Sequence, residues 1–120
     1  MWSSADGIEW TCELRHAPWC GRQFHSVAVF DGRLWLVGGS RAGELGDVWY
    51  SNDGLEWQEI VEVPWRARHA GSLFVHHNVI WLVGGSHLEN DIWVLEKVAA
   101  SENDVTPDHC RLARTREWGV

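Results

Sequence analysis

The sequence LWLVGGS runs from Leu34 to Ser40, and six of its seven residues return as WLVGGS at Trp81–Ser86. The two copies are 46 residues apart. Each is an apolar run closed by a glycine pair, and a continuously apolar run is typical of a strand that is covered on both faces. The sequence therefore predicts a chain built from repeats.

The repetition extends to both sides of this run. Residues Pro18–Arg22 return as Pro64–Arg68 with Pro, Trp and Arg in matching places, and the segment Trp2–Trp10 returns at Trp49–Trp57. Nine of the ten tryptophans lie at repeat-equivalent positions. A period in the forties with four short strand-like runs per unit predicts the blades of a β-propeller.

The order of features within one unit resembles the kelch repeat. A GG doublet closes an apolar strand, and a polar loop and a strand of the type GDVW or NDIW follow, with an outer Trp strand and an Arg before the next unit. The segments WYSNDGLEW and PWRAR resemble the galactose-oxidase-type propellers common in bacteria, over about residues 2–96. The resemblance implies an all-β fold with two four-stranded blades and an N-terminal strand hairpin. Such propellers include binding modules, sugar mutarotases and oxidases, so the resemblance does not choose a function.

The repeat also predicts how the chain is divided. Residues 1–14 are expected to form a strand hairpin that belongs to a preceding or neighbouring blade, residues 15–61 a complete blade, and residues 62–96 a blade lacking its outer strand. The glycine pairs are expected to turn the chain sharply out of the apolar strand. Residues 97–120 break the pattern and are expected to be a degenerate or disordered tail.

Composition excludes several function classes. The net charge of −7 disfavours binding to nucleic acid, which requires a clustered basic surface. No apolar run has the length of a membrane span, and the N-terminus lacks the features of a signal peptide, so no membrane partner is expected. The sequence does not identify the cellular compartment, although it slightly favours the cytoplasm. The three cysteines lack the spacing of a disulfide framework or a zinc site.

Kelch-like propellers carry ligands where the loops between blades meet the loops between the second and third strands. The resemblance implies that arginines and aromatic residues of this sequence lie together on that face. Arginines bind carboxylates, and aromatic rings pack against the faces of sugars. The candidate ligand-binding residues are Arg22, Arg68, His25, His69, Trp19, Trp65, Arg41 and His87. A structural role is the alternative for Arg22 and Arg68, which would then donate hydrogen bonds to loop carbonyls of the adjacent blade.

No motif in the sequence names a reaction. The only tyrosine is Tyr50, which leaves the copper chemistry of galactose oxidases without its ligands, and the adjacent His76 and His77 form a poor chelate. No catalytic residue, metal or cofactor is predicted. The leading expectation is a non-catalytic module that recognises a carbohydrate or an acidic peptide. The alternatives are a sugar-acid mutarotase, for which Glu44, Glu89, His25 and Arg68 could be cast, and an inactive fragment of a larger propeller.

The position of the repeats also predicts assembly. The first strand of the chain would be the end of a third blade strand, and the last blade would stop after three strands. The hairpin Trp2–Leu14 then carries the strand that the last blade needs, which predicts a homo-oligomer formed by strand exchange, or else a part of a longer propeller. A monomer would expose two apolar blade faces.

Overall fold

The structure, a computed structural model, describes residues 1–86, 90–97 and 110–114, with only the backbone described for residues 97 and 110–114. Within these ranges the protein is all-β: ten strands form three antiparallel sheets, and there is no α-helix. No helix in this part of the chain could therefore cross a membrane.

The strands are grouped into a hairpin and two four-stranded sheets. The N-terminal hairpin consists of β1 (Trp2–Ser3) and β2 (Thr11–Cys12). Sheet I contains β3 (Ser26–Phe30), β4 (Arg33–Ser40), β5 (Glu44–Ser51) and β6 (Gln58–Ile60). Sheet II contains β7 (Ser72–His76), β8 (Val79–Val83), β9 (Ile92–Lys97) and β10 (Cys110–Arg114). In both sheets the strands lie side by side in chain order.

The first turn of each sheet has the same left-handed backbone. Asp31 and Gly32 have φ angles of 51° and 69°, and His77 and Asn78 have φ angles of 49° and 60°. Positive φ at both central residues of a two-residue hairpin loop matches the right-handed twist of the flanking strands. These turns set the antiparallel register of β3 with β4 and of β7 with β8.

The glycine pair of sheet I does not turn the chain out of its strand, contrary to the expectation. Gly38 and Gly39 have φ angles of 58° and 112°, but both stay within β4, which continues to Ser40. The pairing with β5 shifts register between Val37 and Gly39, so a bulge absorbs the positive φ angles. In sheet II the glycine pair lies beyond Val83, where β8 ends, as the sequence predicts.

Residues 62–97 supply β7, β8 and β9, and the outer strand of sheet II comes from the segment that was predicted to be a degenerate tail. Strand β10 pairs antiparallel with β9, from Cys110 opposite Lys97 to Arg114 opposite Trp93. An edge strand is not covered on both sides, so it needs no continuous apolar run, and charged residues are common at such edges. The predicted degenerate tail therefore contains a strand, and its remaining residues, 98–109 and 115–120, lie outside the described part of the chain.

The core lies between sheets I and II. The Trp35 side chain, which is 1% exposed, points from sheet I toward sheet II, and its indole N–H donates to the Phe30 carbonyl at 3.1 Å. Apolar side chains of both sheets surround it, and burial of such large side chains dominates the stability of small domains. The buried residues of this cluster are Phe30, Trp35, Val37, Val48, Trp65, Ile80, Leu82, Trp93 and Leu95.

Each sheet also has a face turned away from this core. On sheet I, Val27 is 63% exposed and Leu34 is 38% exposed. On sheet II, Phe74 is 44% exposed and stacks on Trp81 with ring centroids 6.4 Å apart. Both outward faces thus present apolar side chains to solvent, as the sequence predicts for a single copy.

Two matching turns that contain Ser, Asp and Gly, at Ser4–Gly7 and Ser51–Gly54, stabilise the polar hairpins. The carboxylate of Asp53 accepts hydrogen bonds from the backbone N–H groups of Leu55 and Glu56, at 2.8 and 2.9 Å. Asp6 accepts equivalent bonds in the N-terminal hairpin. These backbone hydrogen bonds lower the pKa of both carboxyl groups. Their partners are all local, which assigns the turns a structural role.

Candidate functional site

Each four-stranded sheet holds one ion pair between a buried arginine and a partly buried aspartate. In sheet I, Arg22 Nη1 lies 2.6 Å from Asp47 Oδ1, and Nη2 lies 2.7 Å from Oδ2. In sheet II, Arg68 Nη1 lies 2.6 Å from Asp91 Oδ1, and Nη2 lies 2.8 Å from Oδ2. Both pairs are bidentate, the arrangement in which the planar guanidinium group binds a carboxylate most strongly.

Both arginines also donate hydrogen bonds to nearby carbonyl groups. Arg22 Nη1 donates to the Gly38 carbonyl at 2.9 Å, and Arg68 Nη1 donates to the Gly84 carbonyl at 2.9 Å. The arginine side chains are 2% and 1% exposed. The geometry thus favours the structural alternative over ligand binding for both arginines. One detail of that alternative is wrong, because these carbonyls belong to the arginine's own repeat unit rather than to the adjacent one.

The ion pairs change the acidity of both aspartates. The hydrogen bonds that Asp91 accepts from Arg68 outweigh the effect of burial and, with one from Trp93, lower its pKa. Burial acts most strongly on Asp47 and would raise its pKa, but the combined hydrogen bonds from Arg22 and Trp49 outweigh burial and lower it. Both carboxylates are therefore ionised at neutral pH, and each keeps one buried arginine neutralised.

We expect the free energy of unfolding to decrease as the pH falls below about 3.8, the ordinary value for these carboxyl groups. A carboxyl whose pKa is lower in the folded than in the unfolded state stabilises the fold above its unfolded pKa. That contribution is lost as the pH falls through the folded pKa. Urea denaturation at a series of pH values measures this slope. The double variant Asp47→Asn/Asp91→Asn should show a shallower acid dependence, and an unchanged slope would contradict the assignment.

The two candidate tryptophans pack against other tryptophans. The rings of Trp19 and Trp49 are 5.8 Å apart at 57°, and those of Trp65 and Trp93 are 5.9 Å apart at 59°. Trp57 also meets Trp19 edge-on at 4.5 Å. The matched geometry in the two sheets indicates that Trp19 and Trp65 are framework residues, which disfavours a role for them in binding a ligand.

Trp65 also borders a small gap in the core. The gap has a volume of about 10 Å³ and is lined by apolar side chains of both sheets. The Trp65 indole N–H is buried and has no hydrogen-bond partner among the described residues. A gap of this size holds at most about one water molecule, which would find too few polar partners there. It is too small to be a ligand site.

A histidine–glutamate pair lies where sheets I and II adjoin. His69 Nδ1 is 2.7 and 2.8 Å from the two carboxylate oxygens of Glu44, and the side chains are 32% and 20% exposed. When His69 is neutral and donates from Nδ1, its Nε2 atom is left as a hydrogen-bond acceptor. The backbone of His69 is held by Ser86, whose hydroxyl accepts from the His69 N–H at 3.1 Å.

An exposed aromatic ring lies beside this pair. Phe24 is 59% exposed, and its ring centroid is 5.6 Å from that of His69. Its φ angle is 55°, a left-handed conformation that bulky residues rarely adopt, and its carbonyl accepts a hydrogen bond from the Ala70 N–H at 2.9 Å. We refer to Phe24, Glu44 and His69 as the loop-face site. It combines an aromatic surface, a carboxylate and an imidazole.

The other candidates that the structure describes do not join this site. His25 lines a cleft of about 380 Å³ on the outward face of sheet I, together with Trp19 and Val27. Arg41 is exposed on the loop between β4 and β5. His87, like Glu89, lies outside the described residues. Of the seven candidates for ligand binding that the structure describes, only His69 belongs to the loop-face site.

Sequence reasoning missed three residues that matter here. The repeat contained a signal for Asp47 and Asp91, which recur at a spacing of 44 alongside the recurring arginines. A buried arginine needs a compensating charge, so the two recurrences could have been paired. No such signal existed for Phe24, because its counterpart one repeat later is Ala70.

The histidines do not build a metal centre in the described part of the chain. The rings of His76 and His77 stack, with centroids 3.9 Å apart and planes at 24°. Among the described residues, no group of three or more His, Cys, Asp or Glu side chains could hold a metal ion. Cys12 and Cys20 are free thiols.

Comparison of the chain with protein-family models and with curated proteins returns no match. The arguments about function therefore rest on the sequence pattern and on the geometry described above.

Proposed function

We propose that the chain contains two blades of a kelch-type β-propeller and acts as a non-catalytic module that binds a carbohydrate at the loop-face site. The proposal of blades is supported by the likeness between sheets I and II. Both have four antiparallel strands in chain order, the same left-handed first turn and a buried arginine–aspartate pair that contacts the first glycine of the GG doublet. The two sheets also pack face to face, as neighbouring blades do.

The observation that carries the proposed ligand class is the exposed Phe24 ring beside the hydrogen-bonded pair of His69 and Glu44. A sugar presents an apolar C–H face, which packs on an aromatic ring, and hydroxyl groups, which donate to a carboxylate. The acidic peptide is the weaker alternative. Its carboxylates were expected to meet Arg22 and Arg68, whose guanidinium groups are already bound to Asp47 and Asp91.

A glycan array followed by titration calorimetry on the strongest binder tests this proposal. We expect Phe24→Ala to weaken binding at least about tenfold, because an aromatic anchor at the centre of a contact carries a large share of the affinity. The matched control is Trp2→Ala, which removes an aromatic side chain that is 62% exposed on the N-terminal hairpin. This control should bind as the wild type does.

Two outcomes would contradict the proposal. If no glycan binds above background, the chain is not a carbohydrate-binding module, and the alternative of an inactive fragment is favoured. If glycans bind equally well to wild type and Phe24→Ala, the loop-face site is not the binding surface.

The pair of His69 and Glu44 also favours a second candidate, a sugar-acid mutarotase. Mutarotation opens the sugar ring: a base accepts the proton of the anomeric hydroxyl, the bond from the anomeric carbon to the ring oxygen breaks, and the ring oxygen receives a proton. His69 Nε2 is suited to accept the first proton, with Glu44 holding the imidazole in orientation. Of the other residues cast for this role, Arg68 is committed to Asp91 and Glu89 lies outside the described residues.

Polarimetry of anomerically pure sugar acids separates the two functions. Turnover that is lost in His69→Gln and reduced in Glu44→Gln would favour the enzyme. Specific binding with no acceleration of mutarotation would favour the binding module.

A further inference from the structure

The cleft on the outward face of sheet I repeats the inner interface of the molecule. Four of the side chains that line the cleft occupy positions equivalent to four that line the core between the sheets. Those in the cleft are Trp19, Val27, Leu34 and Leu36, and their counterparts in the core are Trp65, Leu73, Ile80 and Leu82. The cleft thus has the same kind of lining as the face of sheet II that packs against sheet I in the core.

The inner interface shows what fills such a surface. There, the counterpart positions on sheet II pack against Trp35, Val37 and Val48 of sheet I. Covering by that face changes the exposure of one position strongly: Leu34 in the cleft is 38% exposed, whereas its counterpart Ile80 is 3% exposed. A strand face that carries a tryptophan at the position of Trp35 is therefore complementary to the cleft.

The outward face of sheet II is a face of this kind. Trp81 is the repeat counterpart of Trp35, and its indole N–H donates to the His76 carbonyl at 3.2 Å, as that of Trp35 does to Phe30 at 3.1 Å. The two indoles therefore share one orientation relative to their sheets. Phe74 stacks on Trp81 at an interplanar angle of 5° and extends the apolar surface along β7.

We propose that the Phe74 and Trp81 face of sheet II docks into the sheet I cleft of a second copy of this chain, head to tail. One apolar face of each copy is then covered by the other apolar face of its neighbour, which removes from water two surfaces of a type that usually marks an association site. The contact is heterologous, because different surfaces meet, so successive copies form a ring if the rotation closes and a chain if it does not.

This mode of assembly differs from the strand exchange that the sequence predicted. Strand exchange required an empty edge on sheet II, and β10 occupies that edge. Face-to-face docking leaves β10 and the N-terminal hairpin paired as they are. The contact between sheets I and II within one chain is its template.

Two single substitutions, each on one of the docking faces, test the proposal by sedimentation equilibrium. Val27→Lys places a charge in the cleft and Phe74→Lys places one on the opposing face, and both replaced side chains are exposed in one copy. An unpaired charge in an apolar contact is strongly unfavourable. We expect the wild type to assemble at micromolar concentration. Each variant alone should remain monomeric even at about ten times the concentration at which the wild type assembles.

The decisive sample is the equimolar mixture of the two variants. The Val27→Lys chain keeps an intact Phe74 face, and the Phe74→Lys chain keeps an intact cleft. One wild-type contact can form between them and no further one, so the mixture should contain heterodimers and no larger species. If the interface instead joined two copies of the same face, the two variants would not form heterodimers with each other.

Control measurements keep the result interpretable. Val61→Lys makes the same substitution at a residue that is 85% exposed and does not line the cleft, and it should assemble as the wild type does. Circular dichroism checks that each variant is folded, and Leu34→Lys replaces Val27→Lys if the latter unfolds. A wild type that stays monomeric at high micromolar concentration, or a mixture that stays monomeric, would overturn the proposal.

Discussion

Replacing Arg68 by methionine is expected to lower the free energy of unfolding by about 3–5 kcal/mol. The substitution keeps much of the apolar stem and removes the guanidinium group, which leaves Asp91 without its buried counter-charge. It also leaves the Gly84 and Arg66 carbonyls without the hydrogen bonds they accept at 2.9 and 3.1 Å. Since a small domain is stable by only about 5–15 kcal/mol, the variant should lose a large part of its stability. Chemical denaturation at neutral pH measures the loss.

Two further variants separate the ion pair from a general effect of removing an arginine. Arg41→Met removes an exposed arginine and should change stability by less than about 0.5 kcal/mol. In Arg68→Met/Asp91→Asn the uncompensated charge is gone, so the double variant should regain part of the loss. If Arg68→Met unfolds at the same denaturant concentration as Arg41→Met, the pair does not stabilise the fold.

The second large effect is expected for Gly38→Ala, at about 3–5 kcal/mol. The Cβ atom of an alanine at this position would lie 2.4 Å from the carbonyl oxygen of Arg68, and the φ angle of +58° is left-handed. That carbonyl accepts a hydrogen bond from the Gly39 N–H at 3.0 Å, which joins sheet I to the segment that leads into sheet II. Relief of the clash would therefore break a contact between the two sheets.

Gly32→Ala is the matched control for backbone strain. Gly32 also has a positive φ angle, of +69°, but nothing lies within 4 Å of the position its Cβ would take. The Gly32→Ala variant should lose only about 1–2 kcal/mol of its free energy of unfolding, which is the cost of placing an alanine in the left-handed conformation. Thermal unfolding of both variants measures the difference, and equal losses would show that the close approach to Arg68 does not matter.

Much of the fold was predictable because a repeat constrains strands by internal comparison. The second copy of WLVGGS predicted that β4 and β8 are equivalent and central, and apolar runs covered on both faces are easy to recognise. The outer strand β10 was not predictable in this way. An edge strand is not covered on both sides, so its sequence carries little of the pattern by which the inner strands were found.

The candidate site was predicted less well, because a sequence pattern does not show which polar groups pair. Arg22 and Arg68 looked available for a ligand until their bidentate contacts with Asp47 and Asp91 were seen. The loop-face site depends on contacts between segments far apart in sequence, such as Glu44 with His69, and on the left-handed backbone of Phe24. The contact does not follow from repeat spacing. The positive φ angle recurs at Ala70, but neither phenylalanine nor alanine is a residue type that signals it in a sequence.

The arginine–aspartate pairs have a consequence for how such a chain could grow. Each pair, with the carbonyls that its arginine binds, is complete within one repeat, so a duplicated gene segment brings along every partner of its own buried charges. Besides backbone hydrogen bonds such as that from Gly39 to Arg68, the new unit then needs apolar contact with a neighbour, which many combinations of similar volume satisfy. The two repeats differ accordingly: the charged positions are identical, whereas Val27 corresponds to Leu73 and Leu34 to Ile80. Self-contained charge neutralisation thus allows the number of units to change by tandem duplication while the contacts between them diverge.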